Sequence, residues 1–400
     1  MSCPLPLPNP LGVTHSHEND GPPASDGPGH VLIAGASGVI GAPAVAAFAR
    51  AGWQVTALSR RRPIVPEICA FEHAAADLTD AAACAALVGK LPPVTHLVYA
   101  AVAEAPGLAS GWRDEALIEQ NGAMLRNLLG PIAALGDLRH VSILQGGKAY
   151  GAHVHPVTVP LRESQPRDPH PNFYWLHEDF TREQAARLRF AFTVWRPQVL
   201  FGSAPGAAMN PTAAIGAYAA ICRERGLPFA LPGSAESLWQ VVDADLFAQA
   251  LVWSATSESS ADEIFNFTNG DMFVLRHAWD ELASALQLDR IGDAPPGFAA
   301  FFAEPESGEA WRTIARRENL PIDDLDALLG QSHHYLDILT SARIADKQVP
   351  MVVSTIKLRQ AGFGGCIDSL VSLRRQLCAM VDLRLLPVSA RPRIADSAPS

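Results

Sequence analysis

Lysine is the charged residue that this sequence uses least. Only four lysines occur, Lys90, Lys148, Lys347 and Lys357, although Lys and Arg together number 31. A reaction that needs a lysine must therefore use one of these four. The formal net charge of -10 argues against the basic surfaces that bind nucleic acid or anionic membranes nonspecifically. We expect no nucleic-acid partner and no membrane partner.

Cysteine pairs and long apolar runs are also missing. None of the six cysteines forms a C-x-x-C pair, which excludes a zinc ribbon or a dithiol redox motif. No apolar run reaches the roughly 18 residues of a membrane span, and the N-terminus has no signal-peptide pattern. The histidines lack partners at metal-ligand spacing, so no metal is expected. These absences predict a reduced, cytoplasmic protein.

Strand and helix patterns alternate in the first half of the chain. An apolar run at residues 30–34 precedes Gly35-Ala36-Ser37-Gly38-Val39-Ile40-Gly41, an alanine-rich helix and a second strand ending at residue 58. Further strands are expected at residues 71–76, 94–100, 140–145 and 192–201, with helices at 81–91, 114–135 and 178–189. The helix at 114–135 should break or kink at Pro131. The pattern predicts an α/β fold, a Rossmann-type doubly wound parallel sheet.

Four regions follow from this pattern. Residues 1–29 contain seven prolines and little periodic apolar sequence, so a disordered tail is expected there. Residues 30–205 are assigned to the Rossmann domain and residues 206–384 to a smaller, mainly helical substrate-binding lobe, from which some strands can return to the sheet. Residues 385–400 are expected to form a flexible tail.

The glycine turn predicts nucleotide binding, although a plain strand-to-helix turn has the same pattern. Glycines permit a tight turn and a close approach of the backbone to a pyrophosphate at the helix N-terminus. The second strand ends in Ser59-Arg60-Arg61 rather than in an acidic residue. Arginines at this point can pair with a 2′-phosphate, which favours NADP(H) as the cofactor. The alternative is a basic turn that contacts only solvent. Asp77 either contacts the adenine or caps a helix. The predicted cofactor-binding residues are Gly35, Ser37, Gly38, Val39, Ile40, Gly41, Ser59, Arg60, Arg61, Asp77, Leu78, Tyr99, Ala100 and Leu200.

The pair Tyr-x-x-x-Lys, usual in short-chain dehydrogenases, is absent. None of the five tyrosines has a lysine four residues later. Two other segments carry the same residue types. The fifth strand ends in Gln145-Gly-Gly-Lys-Ala-Tyr-Gly151, and Pro171-Asn-Phe-Tyr-Trp-Leu-His-Glu-Asp179 begins a later helix.

These segments resemble the progesterone 5β-reductase and iridoid synthase-like family of extended short-chain dehydrogenases. The resemblance continues through Arg196-Pro-Gln-Val-Leu-Phe-Gly202 and Ile264-Phe-Asn-Phe-Thr-Asn-Gly-Asp271. It implies that Lys148 and Tyr174 act together, although they lie on separate segments. Trp175 departs from the second tyrosine that is common in plant members, which puts the substrate's identity in doubt.

The resemblance implies an NADPH-dependent reductase of α,β-unsaturated carbonyl compounds. Hydride addition to the β-carbon leaves negative charge on the carbonyl oxygen, which a phenol stabilises by a hydrogen bond. A lysine near Tyr174 is expected to lower the pKa of that phenol from about 10. The same pair would serve a ketone or aldehyde reductase, and an epimerase or dehydratase or a noncatalytic NADP-sensing protein are further alternatives. The expected partner is a small carbonyl substrate, and a homodimer is left open.

The N-terminal region generates a first prediction. Because residues 1–28 offer few apolar side chains to bury, a chain that starts at Gly29 should keep the Tm and the activity of the full-length protein. Thermal unfolding and an activity assay on both chains test this. A large loss of either property would show that the segment docks on the body of the protein.

Overall fold

The computed structural model describes residues 28–66, 69–106, 108, 111–233, 236, 238–340 and 351–393. Nearly all of the expected N-terminal tail and the last seven residues of the expected C-terminal tail therefore lie outside the described residues. In the described part of the chain no helix is both long enough and apolar enough to cross a membrane.

The described residues include the strands β1 His30–Ala34, β2 Gln54–Leu58, β3 Glu72–Ala74, β4 His96–Tyr99, β5 His140–Leu144, β6 Ala191–Pro197, β7 Val199–Phe201, β8 Leu238–Trp239, β9 Val241–Asp243, β10 Glu263–Phe267 and β11 Phe273–Val274. Seven of them form a parallel central sheet, in the order β10-β6-β5-β4-β1-β2-β3. Strands β7 and β9 form a short parallel pair, and β8 pairs with β11 in the antiparallel direction. The order reverses direction between β1 and β4, and open α/β sheets bind ligands at such a point.

Helices cover both faces of the sheet and build a second lobe. They are α1 Gly41–Arg50, α2 Ala81–Val88, α3 Glu115–Ala134, α4 Phe173–Leu188, α5 Pro211–Arg225, α6 Ala244–Ser254, α7 Leu275–Leu286, α8 Phe298–Phe302, α9 Pro305–Glu318, α10 Leu325–Leu329, α11 Ser332–Thr340, α12 Ile356–Gln360 and α13 Ser369–Asp382. Helices α1 and α6 share one apolar core with the sheet, while α2, α3 and α4 share another on the opposite face. The predicted doubly wound α/β fold is thus confirmed.

The helical lobe is built around α5, whose residues from Pro211 to Cys222 are all buried. Helices α7, α8, α9, α11 and α13 pack around it in a third apolar core. Helix α6 and strand β10, although they follow residue 206, belong to the Rossmann layers, so the two lobes alternate in sequence. The sequence analysis allowed for such a return of strands to the sheet.

Three local expectations differ from the structure. Helix α3 runs unbroken through Pro131, because buried neighbours such as Leu128 and Ile132 hold this face against the sheet. The strand expected at 192–201 divides into β6 and β7, which pair in different sheets on either side of Gln198. The chain after residue 385 is packed at first, since Leu385 and Leu386 are fully buried against the helical lobe.

The first residue of α1 shows why the opening turn needs glycine. A Cβ on Gly41 would overlap the carbonyl oxygen of Gly35 and lie 2.6 Å from Cα of Ala36. Both neighbours are backbone atoms that cannot rotate away. Gly41 therefore permits the close packing of the turn against the helix.

This packing yields a prediction with a matched control. Gly41→Ala should lower the free energy of unfolding by at least about 1–3 kcal/mol, because the added methyl group meets backbone on two sides. Gly89→Ala should have little effect, since that residue ends α2 with φ -65 and its Cβ would approach nothing closer than 3.6 Å. Denaturant titration of the two variants measures the difference, and equal losses would contradict the packing argument.

Candidate active site

A large cavity runs along the carboxyl ends of the parallel strands. Its volume is about 1110 Å³, and its walls come from both the Rossmann layers and the helical lobe. The cavity is lined by both residues of the predicted reacting pair and by these predicted cofactor residues: Gly35, Ser37, Gly38, Val39, Ile40, Ser59, Arg60, Arg61, Asp77, Leu78, Tyr99, Ala100 and Leu200. Gly41 is the exception. It does not line the cavity, because it is packed behind the turn against Gly35 and Ala36.

The glycine turn forms one end of the cavity. Gly35 has φ +79, and a Cβ there would lie 2.6 Å from the backbone of Ala100 and Ala101 on the neighbouring strand end. Helix α1 begins without a side-chain cap, so the N–H groups of its first turn have no side-chain acceptor. Such a helix start binds phosphate groups. The turn thus has the geometry that a pyrophosphate requires.

The basic turn after β2 borders the same end. Arg60 and Arg61 are both exposed, and Arg61 reaches toward the helical lobe, where a Cβ on Gly206 would come within 3.3 Å of its Nη2. Arg62 instead lies over the ring of Phe71 at 4.6 Å and does not line the cavity. Two arginines are therefore placed to contact an anionic group on the cofactor.

Asp77 does not cap α2, because that role belongs to Asp80. Its Oδ1 accepts hydrogen bonds from the backbone and hydroxyl of Thr79 at 3.0 and 2.8 Å. These bonds hold the pKa of Asp77 below its usual range, with a smaller contribution from Arg60. Asp77 is thus an ionised acceptor at the edge of the cavity, and the adenine contact stays a prediction.

Lys148 and Tyr174 come together from different elements. Lys148 lies in the 3-10 turn that follows β5, and Tyr174 lies in the first turn of α4. The N–H of Tyr174 donates to Oδ1 of the capping Asn172 at 3.1 Å, which starts the helix at this point rather than at Glu178 as the sequence suggested. The Nζ atom of Lys148 lies 5.9 Å from the centroid of the Tyr174 ring.

Glycine makes room for the phenol. A Cβ on Gly146 would lie 3.2 Å from the Tyr174 hydroxyl oxygen, tighter than ordinary packing. The hydroxyl therefore reaches the cavity past a residue without a side chain.

The electrostatics of the pair differ from the sequence expectation. Burial raises the pKa of Tyr174, and the nearby Glu104 and Tyr335 raise it further. The nearby charge that lowers it is that of Arg196 rather than that of Lys148, whose ammonium lies over the Trp112 ring, 4.4 Å from its centroid. Tyr174 is consequently a neutral phenol at neutral pH, which is the form that donates a hydrogen bond.

Several cavity residues carry chemistry that the sequence analysis missed. Glu104 and Trp112 line the wall beside Lys148, and Tyr335 enters from α11 in the helical lobe. Gln198, between β6 and β7, lines the cavity with a buried Oε1 that has no hydrogen-bond partner among the described residues. Only Glu104 left a sequence signal: it is the one Asp, Glu, Lys or Arg between Lys90 and Arg113.

Three histidines lie near the cavity mouth. His155 and His170 each contact Asp168, at 2.6 Å in both cases, and burial lowers the pKa of His153 to about 4. Within the described ranges no group of three or more His, Cys, Asp and Glu side chains has the arrangement of a metal site.

The residues present fit a nicotinamide dinucleotide. The uncapped helix start suits its pyrophosphate, the two arginines suit an additional phosphate, and the unsatisfied Gln198 oxygen can accept from an amide. Solved structures share this fold. The Bordetella bronchiseptica enzyme WbmG in complex with NAD and UDP aligns with TM-score 0.60 at 15% identity, covering 90% of this chain and 96% of that chain. The epimerase Mth375 of Methanothermobacter thermautotrophicus aligns with TM-score 0.61 at 15% identity, covering 89% of this chain and 94% of that chain.

Sequence comparison identifies relatives of this chain. Residues 31–267 match the NAD dependent epimerase/dehydratase family. An (S)-8-oxocitronellyl enol synthase of Catharanthus roseus is 26% identical over 89% of this chain and 92% of its own length. The (S)-8-oxocitronellyl enol synthase ISY2 of Nepeta cataria is 31% identical over 67% of this chain and 70% of its own length. The 3-oxo-Delta(4,5)-steroid 5-beta-reductase of Arabidopsis thaliana is 31% identical over 60% of this chain and 63% of its own length.

The family match over residues 31–267, which is more than half of the chain, and the similarity to these enzymes show that the protein is an enzyme. The chain belongs to the NAD dependent epimerase/dehydratase family and, within it, to the progesterone 5β-reductase and iridoid synthase-like oxidoreductases.

Proposed function

We propose that this protein reduces the carbon–carbon double bond of α,β-unsaturated carbonyl compounds with NADPH. The observation that carries the proposal is the convergence of Lys148 and Tyr174 at the cavity that begins at the glycine turn. The relatives support it, since the steroid 5-beta-reductase is named for a substrate with a 3-oxo group and a double bond at positions 4,5.

The phenol of Tyr174 is the group that meets the substrate's carbonyl oxygen. A bound nicotinamide would supply the hydride for the β-carbon. As negative charge develops on the carbonyl oxygen, the Tyr174 hydroxyl donates a hydrogen bond to it. Burial strengthens this interaction because little water screens it, and burial also keeps the phenol protonated. Tyr174 thus stabilises the enolate without first having to lose its proton.

Lys148 has two roles in this proposal. Its ammonium group would orient the ribose next to a bound nicotinamide. Its positive charge lies 5.9 Å from the centroid of the Tyr174 ring, where it favours the negative charge that develops on the substrate's carbonyl oxygen. The Trp112 ring below the ammonium fixes its position through a cation–π contact. The lysine acts on the reaction through its charge and its place, not as a proton acceptor.

The substrate end of the cavity is mainly apolar. Beyond the reacting pair it is walled by Phe173, Trp239, Tyr335, Ile338, Leu339 and Met351. Such a surface suits a hydrophobic carbonyl compound rather than a sugar nucleotide, whose hydroxyl groups need many polar partners. The proposed function is tested by incubating the protein with small enones, ketones and aldehydes and following the loss of NADPH absorbance. Reduction of ketones without reduction of enones would show that the protein is a carbonyl reductase instead.

NADPH rather than NADH is proposed as the cofactor on the basis of the basic turn. A charge-assisted hydrogen bond contributes roughly 1.5–3 kcal/mol, or about 10- to 150-fold in affinity. Arg60→Ala should therefore weaken NADPH binding by that factor and leave NADH binding nearly unchanged. Arg62→Ala is the matched control, since it removes the same charge from a side chain packed on Phe71 outside the cavity. Titration of both nucleotides measures the effect, and equal wild-type affinities for NADH and NADPH would refute the argument.

The reacting pair gives the most direct prediction. Tyr174→Phe removes only the hydroxyl, so turnover should fall by about 10²–10³ while NADPH affinity persists. Lys148→Ala should reduce both turnover and NADPH affinity. The double variant should turn over little more slowly than the slower single variant, because the effects of residues that act as a unit are not additive. With a strongly activated enone the fall in turnover should be smaller, since hydride transfer to it needs less help from the phenol.

The control is Tyr218→Phe, which removes a hydroxyl bonded to the carbonyl of Ala230 in the core of the helical lobe. Its turnover should stay close to that of the wild type. Near-wild-type turnover of Tyr174→Phe on both weakly and strongly activated substrates would exclude Tyr174 as the donor.

A further inference from the structure

Glu104 is a carboxylate held in the cavity wall by a rigid support. The preceding residue, Ala103, is fixed by Asn121 of α3, whose side chain accepts from the Ala103 N–H at 2.8 Å and donates to its carbonyl at 3.0 Å. Asn121 is itself buried, and its backbone carbonyl contacts Nε2 of His177 on α4 at 2.9 Å. The loop after β4 therefore presents Glu104 from a defined position.

Burial raises the pKa of the Glu104 carboxylate, while the charge of Lys148 and a contact with the Trp112 side chain lower it. Its Oε1 atom is buried and has no hydrogen-bond partner among the described residues. A buried carboxylate oxygen without a partner is costly, which points to a use for its charge. The cation in the cavity wall whose charge acts on this carboxylate is Lys148.

A small second cavity has both residues in its walls. Its volume is about 10 Å³, close to the space that a single water molecule needs, and its walls include Glu104, Trp112 and Lys148. The Trp112 ring lies under the Lys148 ammonium. The carboxylate and the ammonium also line the large cavity, so the two charges share one wall with Trp112 beside them.

Lys148 has no other countercharge at hand. In the described parts of the chain no carboxylate lies within 4.0 Å of its Nζ atom. Burial lowers the pKa of Lys148, and Glu104 is the group that raises it again. The remaining titratable groups that face this pair are Tyr174 on α4, Tyr335 on α11 and His153, whose own pKa is lowered by burial and by Lys148. None of these supplies negative charge at neutral pH.

We propose that Glu104 is a positioning residue that keeps the Lys148 side chain in its charged form in the cavity wall. The inference rests on the proposed role of Lys148. It extends to Tyr174, because the same carboxylate raises the pKa of that phenol. The negative charge of Glu104 thereby raises the pKa of both Lys148 and Tyr174, so both side chains keep their protons to higher pH than they would without it.

The test measures the protonation of Lys148 directly. Because the chain has four lysines, 13C-lysine labelling gives four side-chain signals, and the Lys148 signal is the one that disappears in Lys148→Arg. Glu104→Gln removes the charge and keeps the shape. Its Lys148 titration midpoint should lie lower than in the wild type by about 1 pH unit or more. Glu115→Gln removes an equal charge from an exposed position at the start of α3, outside both cavities, and should leave the midpoint unchanged.

An unshifted midpoint in Glu104→Gln would overturn the inference. If the Gln variant does not fold, Glu104→Met provides a neutral side chain of similar length, with the same expected shift. Glu104→Asp keeps the charge, so its midpoint should remain close to that of the wild type. Because this measurement needs no turnover, a protein that failed to reduce enones would refute the proposed function without touching this result.

A kinetic arm checks the consequence for catalysis. Loss of the carboxylate lowers the pKa of both Lys148 and Tyr174, so the fall of kcat at alkaline pH should begin at lower pH in Glu104→Gln, by about 1 pH unit. A variant with a merely structural defect would lose rate without moving this limb. An unmoved alkaline limb would therefore contradict the positioning role.

Discussion

A buried chain of hydrogen bonds through Gln145 holds the reacting centre together. Gln145 follows β5, and its Nε2 donates to Glu178 of α4 at 2.8 Å while its Oε1 accepts from Nε of Arg196 on β6 at 2.9 Å. All three side chains are buried. Lys148 lies three residues after Gln145, and Tyr174 lies one helical turn before Glu178. This chain of hydrogen bonds therefore fixes the end of β5 relative to α4 and with it the separation of the lysine and the tyrosine.

This dependence follows from the missing Tyr-x-x-x-Lys pair. On one helix, residues four apart meet because of the helix geometry alone. Here the lysine and the tyrosine lie on different elements, and tertiary contacts must replace that geometry. Asn172 begins the helix, Gly146 leaves space for the phenol, and Glu178 ties the helix to the end of β5. These three residues of the two sequence motifs thus help to bring two distant side chains to one cavity.

The parts that sequence could predict are those governed by local rules. The strands of the sheet follow from apolar runs, and the glycine turn from steric limits at Gly35 and Gly41. Tertiary packing prevailed elsewhere: α3 continues through Pro131 without a break, and Leu385 packs on the helical lobe instead of lying in a flexible tail. No sequence pattern indicates that Tyr335 lines the cavity. It does so only because α11, more than 150 residues after Tyr174, folds over the strand ends. Long-range contacts of this kind have no period and no spacing.

The cavity imposes opposite demands on its two proton-bearing groups. Exclusion of water strengthens a hydrogen bond from Tyr174 to a developing oxyanion and keeps the phenol neutral, so burial serves that residue. The same exclusion disfavours the ammonium form of Lys148. The aromatic face of Trp112 offsets part of this cost, and the charge of Glu104 acts in the same direction. A countercharge therefore favours a site that holds a neutral phenol and a charged lysine side by side.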